Sequence, residues 1–288
     1  MEICRDIASV RAWRKARQGS VAFVPTMGYL HEGHLELIRE GARRADHVIA
    51  SIFVNPTQFG PGEDFESYPR DLERDAALCA SVGCDAVFSP RDEEMYPPGS
   101  LTTVSVEVMT DHLCGAHRPG HFDGVTTIVS KLFNITSPDV AIFGQKDYQQ
   151  LAVIRRMVRD LNFPVEIVGV PTVREEDGVA MSSRNRYLGA EDRVRARALS
   201  SGLGHAWRAW QDGERVASVL LSAVMAQVAK HPELSLDYVE AIDPDSLAPL
   251  TGQITGGCVI ALAVHVGSAR LIDNLRLDAP LPAGLSLT

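Results

Sequence analysis

The sequence predicts an α/β protein: a parallel sheet flanked by helices over residues 1–175, followed by a smaller C-terminal α+β domain over 176–288. Three observations lead there. Short apolar runs at Val21–Val24, Val48–Val54, Ala86–Phe88, Val140–Phe143 and Val165–Val170 read as buried strands. The first two are separated by enough chain for a crossover helix, which favours a parallel βαβ unit over a hairpin. After Thr172 the texture changes, and Glu175-Glu176-Asp177-Gly178 reads as a turn at the domain boundary.

The elements between the strands follow from periodicity. Leu35–Arg44 runs out of the first strand as a helix. Asp71–Val82 is bracketed by Pro69 and Gly83, as a helix with start and stop signals should be. Leu101–Val108 alternates Val, Thr and Ser, the pattern of a half-exposed strand. Val125, Ile128, Val129, Leu132 and Phe133 give Phe122–Ile135 one apolar helical face, and Leu151, Ile154, Val158 and Leu161 do the same for Leu151–Leu161. Beyond the boundary, Ala190–Gln211 and Val216–Ala229 are expected helices. Tyr238–Ile242, Val259–Val266 and Arg270–Leu275 are expected strands of a small mixed layer.

Composition narrows the function classes. With 288 residues the chain can bury a core without covalent staples. A formal net charge of −9 disfavours a nucleic-acid partner while leaving room for a local basic pocket. Five cysteines with no CxxC spacing argue against a disulfide framework and for a reducing, cytoplasmic setting. No apolar stretch approaches the length of a membrane span.

Four polar stretches lie where ligands are expected. Pro25-Thr26-Met27-Gly28 leads into His31-Glu32-Gly33-His34 at a strand-to-helix junction, where free N–H groups face anions. Gly28 and Gly33 allow tight turns there. Zinc is the rival chemistry for the two histidines, but no third ligand sits at a telling spacing. Asn55-Pro56-Thr57-Gln58 follows the second strand, and Asn55 and Gln58 are suited to a hydroxyl or carboxylate. Gly144-Gln145-Lys146-Asp147-Tyr148-Gln149-Gln150 follows another strand, with Lys146 placed for an anion and Asp147 for a sugar or a helix cap. Met181-Ser182-Ser183-Arg184 at the boundary pairs hydroxyls with a guanidinium, which suits a triphosphate. His121, in Arg118-Pro119-Gly120-His121, ranks below His31 and His34 as a shaper of the entrance. Asp71, Asp75 and Asp85 form no persuasive carboxylate pair.

Taken in order, these motifs resemble the pantoate–β-alanine ligase family, within the HxGH nucleotidyltransferase superfamily. The resemblance rests on Pro25–Gly28, His31–His34, Phe53–Phe59, Lys146–Gln150 and Met181–Asn185. It implies a Rossmann-like ATP- and pantoate-binding domain, a smaller lid domain and a homodimer. It also implies an AMP-forming ligase that joins pantoate to β-alanine through pantoyl-adenylate, with Mg²⁺ accompanying ATP and no protein metal site. Carried over by position, His31, His34 and Lys146 would be catalytic, and Gln58, Gln150 and Asn55 would hold substrate. Met27, Gly28, His34, Gly144, Lys146, Asp147, Val173, Met181, Ser182, Ser183 and Arg184 would bind ATP. Two positions depart from the family pattern: Gln145, where glutamate is common, and Asp71, where threonine is common.

Overall fold

A computed structural model describes residues 1–285. They divide into two compact units. The first comprises Met1–Val108, Arg118–Gln145 and Val153–Val170; the second comprises Met109–His117, Lys146–Ala152 and the chain from Pro171 onward.

The first unit is Rossmann-like. Its strands are β1 (Glu2–Cys4), β2 (Val21–Thr26), β3 (His47–Ile52), β4 (Ala86–Phe88), β5 (Val140–Gly144) and β6 (Glu166–Val170). They form one sheet in the order β1-β4-β3-β2-β5-β6, with every pairing parallel. Alternate residues of β2 serve opposite faces. Ala22 and Val24 pack with Leu35 and Ile38 of α2 (Glu32–Arg44) and Cys79 of α3 (Leu72–Ser81). Phe23 meets Phe133 of α6 (His121–Thr136) edge to face, 6.3 Å between ring centres. Both faces are therefore covered, as parallel strands require. Asp71, one of the two family departures, caps α3 by accepting the Arg74 N–H at 3.1 Å.

Strand order reverses at β2. From it the chain steps outward through β3 to β4 on one side and through β5 to β6 on the other. The β2–β5 ladder pairs only Ala22 with Val140 and Phe23 with Ala141, so it stops before the carboxyl end of either strand. The Val21 carbonyl accepts the N–H of Asp139 beside β5, so Pro25, on the same side and past the last paired residue, costs the sheet no ladder bond. A crevice at a topological switch point is the usual ligand edge of such sheets.

Several elements differ from expectation. β1 and the helix α1 (Ile7–Lys15) are not legible in the sequence as separate elements, because β1 is only three residues long and α1 depends on its Asp6 cap. The short helix α4 (Asp92–Met95) is likewise too brief to show periodicity. The strand expected over Leu101–Val108 does not form. Val104 donates its N–H to Thr127 Oγ1 at 2.9 Å and accepts from Thr126 Oγ1, so side chains of α6 take the bonds a neighbouring strand would have made. An alternating pattern reports a half-buried segment; it does not report the partner.

The second unit holds α5 (Leu113–His117), the start of α7 (Tyr148–Asp160), α8 (Ala190–Gln211), α9 (Ala217–Val228) and a sheet of β7 (Ser235–Ile242), β8 (Val259–Val266) and β9 (Ala269–Arg276). The sheet is antiparallel in the order β7-β8-β9. Leu203 of α8, Leu220 and Val224 of α9, and Ile260, Leu262 and Val264 of β8 share its core. A hairpin-like loop leads from Val173 to Met181, whose N–H donates to the Val173 carbonyl at 3.0 Å. Arg174 fixes that loop to β9 through two bonds to Asp273, at 2.7 and 2.9 Å, with both side chains almost fully buried. Arg193 grips the turn through Glu175 and Asp177, at 2.6 Å to each.

Two outcomes follow from these ion pairs. Asp273→Ala leaves the Arg174 guanidinium buried without its carboxylate and should lower the unfolding free energy by about 3 kcal/mol in urea titration. The Arg193 guanidinium holds the Asp177 carboxyl below its ordinary range, against the opposing effect of burial. A depressed carboxylate stabilises the fold above its unfolded pKa, and that contribution is lost as pH falls through the folded value. The stability gap between wild type and Arg193→Met should therefore narrow as pH drops below about 4.

Candidate active site

The loop from β2 to α2 is tied down at almost every residue. Thr26 Oγ1 donates to the Ser51 carbonyl at 2.7 Å and accepts the Gly28 N–H at 3.2 Å. Gly28 turns with φ +83°, and a Cβ there would lie 3.0 Å from both Asp75 and Ile52. Asp75, fully buried on α3, accepts the N–H groups of Tyr29 at 2.6 Å and Leu30 at 2.8 Å. Arg74 closes the arrangement by donating to the Leu30 carbonyl at 2.9 Å. Burial pushes the Asp75 carboxyl up, and the two N–H bonds act in the opposite direction. Tyr29 is held at φ +50°, a sparsely populated conformation for a residue with a side chain.

This frame presents the two histidines. α2 begins at Glu32, so His31 and His34 flank its first turn, where the N–H groups of Glu32 and Gly33 have no acceptor within the helix. The two rings lie 4.0 Å apart. His34 Nδ1 accepts the His31 backbone N–H at 3.3 Å. A neutral His34 therefore carries its proton on Nε2 and donates from there.

The second motif follows β3 as a one-turn 3₁₀ helix, Pro56–Gln58. Asn55 is buried and its amide is fully used. Its Nδ2 donates to Gln58 Oε1 and the Gly124 carbonyl, each at 3.1 Å, and its Oδ1 accepts from Tyr96 at 2.7 Å and Thr57 at 3.0 Å. Gln58 Nε2 reaches the Met27 sulfur at 2.9 Å. Met27, Asn55 and Gln58 thus form one connected group, beside the loop that carries Gly28, His31 and His34. Gly144 ends β5 at the same edge of the sheet, across the switch point. Gln145, the other departure, donates to the Gly169 carbonyl at 3.3 Å.

The remaining candidates lie in the second unit. Lys146 and Asp147 belong to a 3₁₀ turn, Gln145–Asp147, ahead of α7. The Lys146 carbonyl accepts from Asn274 Nδ2 at 2.8 Å, which ties down the backbone at that residue. Gln149 points inward and donates to the Met109 and His112 carbonyls, while Gln150 is half-buried. Val173 and Met181 face each other across the loop neck. Ser182 caps the 3₁₀ helix Ser183–Tyr187 by accepting the Arg184 N–H at 3.3 Å. Asn185 ties that turn to Glu175 at 2.7 Å and to the Ala180 carbonyl at 3.1 Å.

Among the described residues no three His, Cys, Asp or Glu side chains cluster as metal ligands. All five cysteines are free and buried. Among the described residues no helix is long and apolar enough to cross a membrane. The supporting roles of Asp75, Tyr96, Gly124, Arg174 and Asp273 are not evident from the sequence. Asp75 does leave a signal: with Leu72, Ala76 and Cys79 it falls on the inward stripe of α3, where a carboxylate needs a reason.

Comparison with known proteins places this architecture. The family model described as pantoate-beta-alanine ligase matches residues 2–276. Curated pantothenate synthetases from Moorella thermoacetica and Syntrophotalea carbinolica are 57% and 55% identical, covering 96% and 95% of this chain and 99% and 98% of their own. The crystal structure of pantothenate synthetase from Thermus thermophilus superposes with a TM-score of 0.91 at 50% identity, covering 96% of this chain and 99% of that one. A pantoate-beta-alanine ligase from Francisella tularensis, complexed with beta-gamma ATP and beta-alanine, superposes with a TM-score of 0.78 at 32% identity, covering 97% and 99%. With a family match over nearly its whole length, relatives above 50% identity and the same fold, the chain belongs to the pantoate–β-alanine ligase family.

Proposed function

We propose that this ligase activates pantoate as its adenylate at the β2–β5 switch point and then passes the acyl group to β-alanine, releasing AMP and pyrophosphate. The observation that carries the reading is the single hydrogen-bonded frame that joins Met27, Asn55 and Gln58 beside the strand–helix junction of His31 and His34. The Francisella relative, with an ATP-type ligand and beta-alanine bound, supports the same pair of substrates for this chain.

The chemistry asks little of a base at the start. The pantoate carboxylate is ionised near neutral pH and attacks the α-phosphorus directly; the bond from that phosphorus to the β-phosphate oxygen breaks and pyrophosphate leaves. The difficulty is bringing two anions together. His34, donating from Nε2, together with His31, the first-turn N–H groups of α2, Lys146 and the Ser182-Ser183-Arg184 turn would offset the phosphate charge. Gln58 and Gln150 would hold pantoate through neutral amides, adding no repulsion. Asn55, its own amide occupied, would act by fixing Gln58. Met27, Gly28, Gly144, Asp147, Val173 and Met181 complete the ATP-binding set of this reading. In the second step the free amine of β-alanine attacks the acyl carbon, AMP leaves with the carboxylate oxygen, and the nitrogen loses a proton. Excluding water at that stage protects the mixed anhydride.

In this reading residues 1–175 bind ATP and pantoate, residues 176–288 serve as the lid domain, and the enzyme acts as a cytoplasmic homodimer. Mg²⁺ would arrive with the triphosphate, coordinated mainly by its phosphate oxygens.

Two measurements test the proposal. With pantoate labelled by ¹⁸O in its carboxylate, AMP should acquire one labelled oxygen. Label in inorganic phosphate, with ADP as co-product, would contradict adenylation. Separately, His34→Ala and Lys146→Ala should each slow pantoate-dependent exchange of pyrophosphate into ATP by about a hundredfold, the scale of one lost oxyanion donor. Near-normal exchange would remove those residues from the phosphate-binding role.

A further inference from the structure

Gln58 is held by more than Asn55. Two side chains converge on its backbone carbonyl oxygen: His121 Nδ1 at 2.7 Å and Arg118 Nη2 at 3.2 Å. Arg118 is itself fixed by a two-pronged pair with Glu63, Nε to Oε1 at 2.7 Å and Nη2 to Oε2 at 2.6 Å. Its Nη1 also lies 3.1 Å from His121 Nε2. Burial works to raise the Glu63 carboxyl, but the Arg118 guanidinium and the Gly60 N–H together hold it below its ordinary range.

The atom types settle the proton positions. A carbonyl oxygen only accepts, so His121 Nδ1 must carry the hydrogen it directs at Gln58. A guanidinium nitrogen only donates, so His121 Nε2 must present its lone pair to Arg118. The imidazole in this geometry is neutral and in a single tautomer. Protonating it would set an N–H against the guanidinium.

The other side of the turn is equally constrained. Gly124, one turn into α6, lies so close to the 3₁₀ helix that a Cβ there would come within 2.4 Å of the Thr57 carbonyl oxygen and 2.7 Å of the Gln58 nitrogen. The Gly124 carbonyl meanwhile receives Asn55 Nδ2. The turn that carries Gln58 is thus seated on the start of α6 and latched at its carbonyl by Arg118 and His121.

We propose that Glu63, Arg118 and His121 are positioning residues that set the height and orientation of the Gln58 amide, and so determine how tightly the enzyme holds pantoate. None of the three needs to touch the substrate. The proposal rests on the reading that Gln58 binds pantoate. Its partner chemistry is the hydroxy-acid end of the reaction, so the latch should leave ATP recognition alone.

The test is steady-state kinetics on the full-length enzyme, with pantoate and ATP varied separately, for Arg118→Lys, His121→Phe, His121→Asn and Gln58→Ala, and for His121→Phe combined with Gln58→Ala. Arg118→Lys keeps the charge but loses the fork to Glu63. It should raise KM for pantoate by about tenfold or more while KM for ATP stays within about twofold. His121→Phe should do the same. His121→Asn should recover much of the loss, because an asparagine amide can replace the Nδ1 donor. In the Gln58→Ala background, His121→Phe should add little, since the group it positions is gone. A Gln58→Ala enzyme with normal KM for pantoate would overturn the underlying reading. A raised KM in Gln58→Ala with unchanged KM in both Arg118→Lys and His121→Phe would overturn the latch alone. Full additivity of the double variant, or equal rises in both KM values, would likewise reject positioning in favour of a general structural effect. Should Arg118→Lys fail to fold, the two His121 variants still decide the matter.

Discussion

The point at which the β2–β5 ladder stops governs the rest of the first unit. Two residues on each strand pair, and beyond them the strands part with their carboxyl ends unjoined to one another. Because the order reverses there, the loops leaving β2 and β5 start from opposite sides of one crevice. Pro25 can sit past the last β2–β5 ladder bond because no strand on that side asks it for an N–H. Extending the ladder would close the crevice and demand hydrogen bonds that proline cannot supply.

Around that opening the structure uses one device repeatedly: an unexposed polar side chain fixes the backbone of a loop, and the loop presents another side chain outward. Asp75 does this for Tyr29 and Leu30, and Arg174 for the loop ahead of Ser182 through the Gly178 carbonyl, while Asn55 holds the Gln58 side chain directly. Such groups are costly to bury, and the bonds they make offset that cost, completely so for the Asn55 amide. Their rigidity matters because catalysis by charge neutralisation needs donors already in place when the transition state forms.

The central strands are legible in the sequence because strands covered on both faces are apolar without interruption. The start of α2 is legible because His31-Glu32-Gly33-His34 follows such a run directly. Nothing in the sequence reveals that Leu101–Val108 bonds to Thr126 and Thr127, since the partners of an extended segment are set by tertiary packing. β1 is too short to stand out. At the site, the outward-facing polar residues carry readable motifs, whereas their supports do not. Asp75, Gly124 and Glu63 are separated from what they hold by dozens of residues, and only the fold joins them. Asn55 shows the limit clearly. Its residue type suggests a ligand-gripping amide, and the structure commits both donors and both lone pairs to protein partners.

The most direct test of the account is a crystal structure of the enzyme with pantoate and a non-hydrolysable ATP analogue. The account predicts pantoate against the Gln58 amide at the β2–β5 crevice, with the triphosphate facing His34 Nε2 and the first turn of α2. Pantoate bound away from Gln58, or phosphates that leave both His31 and His34 without contact, would contradict it.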